Sequence, residues 1–332
     1  MPLANVCVRG PRIRKVRLAH LPTPIERCPA LDALVGSELW IKRDDATGGA
    51  EAGNKIRKLE YLIAHALEQN ARFVITCGAL QSNHARATAI VARRFGLTPV
   101  LLLRTETPPL TQEGNLLLDA LVGSELHYIT RDEYARRDEL MRELAESGRY
   151  GGRAYVIPEG GSNGLGALGY YDAMGEIRAQ LDAESSQLPR AFDAVVHACG
   201  SGGTAAGVVL GAQEFAVAPE VIAMAVCDDR AYFEQRIAGI IADANTWFSQ
   251  PPAAARLRVV DEYQGPGYGV PSAEQVSFIR EVARTAGLLL DPVYSGKALY
   301  GLAQLPNKPR RALFIHTGGL PGLLAEHARF AE

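Results

Sequence analysis

The sequence predicts an α/β protein made of two open, mostly parallel sheets. Three observations carry this reading. Short β-branched apolar runs alternate with stretches of helical periodicity, the runs end in Gly-rich polar turns, and the alternation occurs in two blocks separated near Ser162. Strands that alternate with helices imply right-handed βαβ units and parallel pairing.

In chain order, an amphipathic helix begins at Lys55, with Ile56, Leu59, Tyr61, Leu62, Ile63 and Leu67 supplying its apolar face. Phe73 to Thr76 reads as a strand that breaks at Gly78, and helical periodicity resumes from Asn83 through Phe95. Pro99 to Leu103 is the next strand, Leu116 to Leu121 a helical face, Leu126 to Ile129 a strand, Tyr134 to Ser147 one helix, and Ala154 to Ile157 a strand. The second block runs through a helix from Gly164 to Leu181, a strand from Ala194 to Ala198, and a helix from Thr204. It closes with a strand from Val221 to Val226, a helix around Tyr232 to Ile241, and a strand from Ala312 to Ile315. Gln250 to Ala255 and Gly265 to Pro271 read as turn-rich loops.

Composition narrows the function classes. A chain of 332 residues with 47% hydrophobic and 22% charged residues has material for more than one core. Its formal net charge of -2 argues against a nucleic-acid partner, which is held mainly by excess Lys and Arg. No apolar run is long enough to span a membrane, and Met1 to Gly10 lacks the pattern of a secretory leader. Five scattered cysteines (Cys7, Cys28, Cys77, Cys199, Cys227) with no CxxC spacing suggest neither a disulfide framework nor a metal centre, and a reducing cytoplasm is expected. Cys77 and Cys199, each ending a strand beside a Gly, read as small buried residues rather than nucleophiles.

In open parallel sheets, sites form beyond the carboxyl ends of the strands. That rule selects the loops Gly78 to His84, Gly160 to Gly164, Gly200 to Thr204 and His316 to Gly319. Lys55 stands at a helix start, where the positive end of the helix dipole disfavours its protonated form, and Lys58 follows one turn later on the same face. By themselves the two lysines fit a pair of solvated helix starters equally well. Gly200-Ser201-Gly202-Gly203-Thr204 follows a strand and opens a helix, a geometry for a phosphate. A nucleotide satisfies such a turn too, but this loop lacks GxGxxG and the chain has no GxxxxGK[ST]. Gln81-Ser82-Asn83-His84 gathers amides, a hydroxyl and an imidazole at another strand-to-helix turn, where an anionic substrate group or an ordinary helix cap accounts for them. His84 alone reads as structural.

Taken together, Gly53-Asn54-Lys55, Gln81-Ser82-Asn83-His84, Gly160-Gly161-Ser162-Asn163, Gly200 to Thr204, Gly267-Tyr268-Gly269, Leu290-Asp291-Pro292-Val293-Tyr294-Ser295-Gly296-Lys297 and His316-Thr317-Gly318-Gly319 resemble the D-cysteine desulfhydrase and 1-aminocyclopropane-1-carboxylate (ACC) deaminase family. The motifs run in the family's order from about Leu18 to Leu324. The resemblance implies the tryptophan synthase β-like fold, with a large pyridoxal-phosphate domain formed by residues 1–53 and 165–332 and a small domain, 54–164, carrying the Gln-Ser-Asn loop. It implies pyridoxal 5'-phosphate held as a Schiff base on Lys55, its phosphate held by Lys58 and the loop Gly200, Ser201, Gly202, Gly203 and Thr204. Asn83 is expected on the cofactor's 3-hydroxyl, Tyr294 stacked on its ring, and Ser295 and Thr317 near the ring nitrogen. Gln81, Ser82 and Asn83 are expected to meet the substrate and Tyr268 to stand beside it; the catalytic set is Lys55, Ser82, Tyr268 and Tyr294, with no metal.

ACC deaminases resemble a version with Glu after the stacking Tyr and Leu after the His. Ser295 and Thr317 therefore point to the desulfhydrase-like branch, because a hydroxyl leaves the ring a weaker electron sink, suited to early departure of a good leaving group. The expected reaction is β-elimination from D-cysteine or a related amino acid, giving sulfide or another leaving group, ammonia and pyruvate, in a cytoplasmic homodimer. The alternatives are an L-cysteate sulfo-lyase or ACC deaminase of the same family, a β-substituting synthase of cysteine synthase type, and a non-catalytic pyridoxal-phosphate or amino-acid binding protein. Glu51 and Ala52 before Gly53, and Cys77 to Leu80 before Gln81, depart from the usual pattern and leave the leaving group open.

Overall fold

The structure is a computed structural model that describes residues 4–6, 13–183 and 187–330; Cys7 lies outside the described residues. Strands β1 (Ala4–Val6) and β2 (Ile13–Lys15) pair antiparallel at the amino end. Then follow β3 (Ile25–Arg27), α1 (Asp32–Val35), β4 (Glu38–Lys42) and α2 (Lys55–Glu68). The first α/β block holds β5 (Phe73–Ala79), α3 (Asn83–Arg94), β6 (Thr98–Arg104), α4 (Gly114–Leu121), β7 (Glu125–Ile129), α5 (Arg131–Ala135), α6 (Arg137–Glu146) and β8 (Ala154–Val156). The second holds α7 (Gly164–Asp182), β9 (Ala194–Cys199), α8 (Gly203–Glu214), β10 (Glu220–Ala225), α9 (Arg230–Asn245), β11 (Arg256–Val260), α10 (Ala273–Ala286), α11 (Ser295–Gln304), β12 (Arg311–Ile315) and α12 (Leu320–Ala325).

Besides the β1–β2 pair, two larger, mostly parallel sheets form, as the alternation predicts. Strands β7-β6-β5-β8 form a fully parallel four-stranded sheet. The other is six-stranded in the order β11-β10-β9-β12-β4-β3, parallel throughout except for the edge pair of β3 with β4. Its middle strand β9 is buried at every position, which is why Ala-Val-Val-His-Ala-Cys shows no alternation: both faces of a parallel sheet are covered by helices.

The structure departs from the sequence reading in three places. The amino-terminal 53 residues, read without elements, supply β3 and β4, and β4 lies inside the large sheet against β12. Strand β11 and helices α10 and α11 also escaped that reading, although Ser272 and Gln275 form a capping box at the start of α10 and Gly287 ends it in the left-handed conformation. The single helix expected from Tyr134 to Ser147 is two, broken at Arg136 with φ -104° and ψ 22°. Thr130 and Glu133 cap α5 separately, and the break lets buried Tyr134 reach Glu159 with its hydroxyl at 2.6 Å.

Helix α2 is fixed by an unusually buried ion network. Arg57, 2% exposed, donates Nε and Nη2 to the carboxylate of fully buried Asp44, each at 2.8 Å, and Nη1 to Glu176 Oε2 of α7 at 2.8 Å. Lys42 on β4 donates to Glu176 at 2.6 Å, and the Tyr170 hydroxyl donates to Asp44 at 2.6 Å. Helices α2 and α7 meet closely because Gly169 has no side chain: a Cβ there would lie 2.2 Å from the carbonyl oxygen of Arg57. Removing one partner of such a network strands an uncompensated charge. Asp44→Ala is therefore expected to lower unfolding stability by about 3–5 kcal/mol, read from denaturant titration; a loss below about 1 kcal/mol, typical of an exposed pair, contradicts this account.

Candidate active site

All four loops chosen from the sequence reach one cavity, through Gly78, Ala79 and Ser82 to His84, through Gly160, through Gly200 to Gly202 with Thr204, and through Thr317, together with Asn54, Lys55, Glu159, Tyr268 and Tyr294. Both sheets contribute because each loop follows the carboxyl end of a parallel strand: β5, β8, β9 and β12.

Lys55 is the first residue of α2, and its Nζ lies 3.2 Å from Asn54 Oδ1 and 5.8 Å from the centre of the Tyr294 ring. Burial lowers its pKa to about 8, against the opposing pull of the Asp291 and Glu159 carboxylates. A substantial fraction of the amine is thus neutral near physiological pH, as a nucleophile toward a carbonyl must be.

The Gly-rich loop is knitted together behind the cavity wall. Gly202 takes a left-handed conformation (φ 84°) at the N-cap of α8. The Gly203 N–H donates to Ser162 Oγ at 3.2 Å, Ser162 Oγ pairs with Ser201 Oγ at 2.8 Å, and Asn54 Nδ2 donates to Thr204 Oγ1 at 3.1 Å. Lys58 stands behind this loop, donating to the Gly160 carbonyl at 3.1 Å and to Ser162 Oγ at 3.3 Å. It has no carboxylate partner among the described residues, and its pKa is driven well down by burial and by the charge of Lys55. A Cβ on Gly203 would lie 3.0 Å from Lys58 Nζ and 2.6 Å from Ser162 Oγ, so only glycine lets the turn close over the lysine.

At the other wall, Ser82 caps α3, its Oγ accepting the Ala85 N–H at 3.1 Å. His84 is 3% exposed, and Thr76 Oγ1 donates to the Ile157 carbonyl while facing His84 Nε2 at 2.8 Å. Nδ1 makes no hydrogen bond among the described residues, and the Pro158 carbonyl beside the ring favours the charged form without offsetting burial. Burial, then the charges of Lys55 and Lys58, keep the imidazole neutral. His84, read as structural, thus brings a neutral imidazole to the cavity wall.

Tyr268 and Tyr294 face each other with their hydroxyl oxygens 2.6 Å apart. Burial pushes Tyr268 up to about 12 and Tyr294 well above its ordinary value, so both are protonated at neutral pH. Cys199 lines the cavity too, but burial raises its thiol to about 12, and Cys77 is fully buried, in keeping with their reading as packing residues.

Four of the expected residues, Lys58, Gly203, Gln81 and Ser295, are not on the cavity wall. The Gln81 side chain turns toward α4, donating to the Glu113 carbonyl at 3.0 Å and accepting the Asn115 N–H at 2.9 Å. Ser295, fully buried, donates its hydroxyl to Asp291 Oδ1 at 2.6 Å and accepts the Asp291 N–H at 2.9 Å. Thr317 does line the cavity. Sequence reasoning missed Asn54, visible only as the neighbour of Lys55, and Glu159, the sole carboxylate among the wall residues, held by the Tyr134 hydroxyl and by Arg137 Nη2 at 2.9 Å.

Pyridoxal phosphate suits these residues. A partly neutral amine at Lys55 answers its aldehyde, and a closed glycine cradle at the amino end of α8, with Lys58 behind it lacking a carboxylate partner among the described residues, answers its phosphate.

Comparison with known proteins agrees. Residues 16–318 match the family described as pyridoxal-phosphate dependent enzyme. The chain is 44% identical over 320 residues to a putative 1-aminocyclopropane-1-carboxylate deaminase of Thermotoga maritima, covering 95% of this chain and 99% of that one. It is 44% identical over 324 residues to the mitochondrial bifunctional D-cysteine desulfhydrase/1-aminocyclopropane-1-carboxylate deaminase of Arabidopsis thaliana, covering 92% of this chain and 78% of that one. The crystal structure of an ACC deaminase homologue superposes with a TM-score of 0.82 at 36% identity, over 96% of this chain and 95% of that one. Maize serine racemase, at 16% identity and a TM-score of 0.63 over 93% of each chain, shares the fold.

Borohydride reduction of the yellow holoprotein is expected to leave the cofactor adduct on Lys55, located by peptide mass spectrometry; an adduct on Lys58 or elsewhere overturns the assignment. In the cofactor-free protein, the rate of cofactor capture should rise with pH through about 8, because the neutral amine accumulates above its lowered pKa. A rise centred near 10.5, the ordinary lysine value, would show that burial does not act on Lys55.

Proposed function

The chain belongs to the family of pyridoxal-phosphate dependent enzymes, and from that premise we propose that it is a β-eliminating lyase of D-cysteine or a close β-substituted amino acid. The products are sulfide (or another β-leaving group), ammonia and pyruvate. The observation that carries this choice over ring opening is the environment of Ser295. Its hydroxyl is spent on Asp291, whose oxygens also accept the N–H groups of Val293, Tyr294 and Ser295, so neither group is free to hold a proton on a ring nitrogen. Pyridoxal phosphate bound at Lys55 supplies an electron-withdrawing ring that lets a substrate lose its Cα proton and expel its β-substituent.

This chain's own residues divide the remaining work. Lys55, released as an amine once substrate is bound, is the base for the Cα proton, its lowered pKa matching that task. Ser82 and the free N–H groups at the start of α3 receive the substrate carboxylate, where the helix dipole favours negative charge. Asn83 offers an amide to the cofactor's 3-oxygen, Thr317 a hydroxyl near the ring nitrogen, and the Gly200 to Thr204 loop with Lys58 a seat for the phosphate. Tyr268, protonated and paired with Tyr294, is placed to give a proton to the departing sulfur as the C–S bond breaks with its electron pair. Burial of the two phenols keeps bulk water from these steps.

Ring opening of ACC is the second reading, favoured by the printed names of the relatives from T. maritima and A. thaliana. A panel of D- and L-cysteine, L-cysteate, β-chloroalanine and ACC separates the two. Pyruvate with sulfide from D-cysteine is expected to dominate; more 2-oxobutyrate from ACC than pyruvate from any β-substituted substrate overturns the proposal. No helix among the described residues is long and apolar enough to cross a membrane, and a cytoplasmic homodimer completes the proposal, with light scattering at the 35.7 kDa monomer mass its refutation. Ser82→Ala should raise KM by about tenfold or more, the worth of a hydrogen bond to a charged group, while cofactor affinity stays within about twofold; a matching loss of cofactor shows that Ser82 serves the cofactor instead.

A further inference from the structure

Asn83 reaches the cavity only as half of an amide pair, and the other half belongs to a helix outside the site. Asn115, on α4 and fully buried, donates from one Nδ2 to both the Gln81 carbonyl at 3.0 Å and Asn83 Oδ1 at 3.1 Å. The two amide hydrogens of Asn115 are thereby used. The direction of this relay is settled by the backbone: the Gln81 carbonyl can only accept, so Asn115 must turn its NH2 toward it, and Asn83 must then turn its oxygen toward Asn115. The NH2 of Asn83 is left without a protein partner among the described residues, in a side chain that lines the cavity. The same α4 turn grips the loop again through the Asn115 N–H to Gln81 Oε1 at 2.9 Å and Gln81 Nε2 to the Glu113 carbonyl at 3.0 Å.

We infer that Asn115 is a positioning residue that sets the amide of Asn83, so that the cavity is offered a donor and not an acceptor. This rests on the reading of Asn83 as the residue facing the cofactor's 3-oxygen. A donor there disperses the charge of the ionised oxygen and weakens its hold on the neighbouring proton at the lysine–cofactor linkage, lowering the pH at which that proton is lost. Asn115→Asp keeps size and shape but replaces the donor with an acceptor. The amide of Asn83 then rotates to donate to the substituted carboxylate, and its oxygen faces the cofactor.

The experiment is a spectrophotometric pH titration of the yellow colour of the holoenzyme, compared among the wild type, Asn115→Asp, Asn115→Leu, Asn83→Ala and the double variant Asn83→Ala/Asn115→Asp. Reduction with borohydride verifies in each that cofactor remains on Lys55. The expected result is an upward shift of about one pH unit, the equivalent of one lost hydrogen bond, in Asn115→Asp and Asn83→Ala alike, with no further shift in the double variant. Asn115→Leu, which removes the donor without adding charge, should shift in the same direction and guards against a folding failure of the aspartate variant. An unshifted titration in both Asn115 variants while Asn83→Ala shifts overturns the positioning role. An Asn115 shift that persists in full without the Asn83 amide overturns it as well, because the effect then takes another route. If Asn83→Ala leaves the titration unchanged, it is the placement of Asn83 on the 3-oxygen that fails, and the inference fails with it.

Discussion

The site depends first on how α2 is held. Lys55, the lysine proposed to hold the cofactor, is the helix's first residue, and a helix start is the part most free to fray. Arg57, two residues on, removes that freedom by a two-pronged bond to Asp44 beside β4 and a third contact to Glu176 on α7. Charges this deep contribute little net stability compared with apolar packing, but they tolerate few alternative geometries. The network therefore acts as a register pin: it ties the lysine-bearing helix to the large sheet through Asp44 and Lys42, and to α7 through Glu176. Gly169 complements it by letting the backbones of α2 and α7 approach to a distance that any side chain would forbid.

The electrostatics of the cavity follow from what is not neutralised. Lys55 and Lys58 lie on successive turns of one buried helix face, the charge of Lys55 lowers the readiness of Lys58 to carry its own, and Lys58 has no carboxylate partner among the described residues. The nearest carboxylates are already committed. Asp291 accepts four donors from its own turn, and Glu159 is held by Tyr134 and Arg137. Such a site carries its positive potential toward the Gly-rich turn, where the amino end of α8 adds the positive end of its dipole. In the proposed reading, a dianionic phosphate would supply the counter-charge Lys58 lacks, and a carbonyl would meet at Lys55 an amine that burial has already deprotonated in part.

Much of this was legible in the chain, and the particular residues show why. The parallel strands β5, β6, β9 and β10 are short β-branched runs whose burial on both faces leaves an unmistakable apolar stretch. The loops that end them concentrate Gly, Ser and Asn, and all four meet in one cavity because parallel strands put their carboxyl ends on the same edge. Strand β4 was not legible: Glu-Leu-Trp-Ile-Lys is brief, charged at both ends, and becomes a strand inside the large sheet only when β12 arrives from more than 270 residues away to pair with it. The break at Arg136 also escaped, because the periodicity of α5 and α6 runs on while the burial of Tyr134 against Glu159 decides the backbone there.

By itself, then, the sequence determined the two-sheet α/β class, the family and the loops that meet in one cavity, since these rest on local patterns and on motifs whose residue types are dictated by chemistry. Tertiary structure decided direction. Gln81 and Ser295 carry the expected residue types yet spend their side chains on Asn115, Glu113 and Asp291, while His84, Asn54 and Glu159, inconspicuous in the chain, face the cavity. The physical reason is that a polar side chain points to whichever partner satisfies it once water is gone. Those partners belong to helices and strands far away in sequence, so no local pattern around Gln81, Ser295 or His84 contains them.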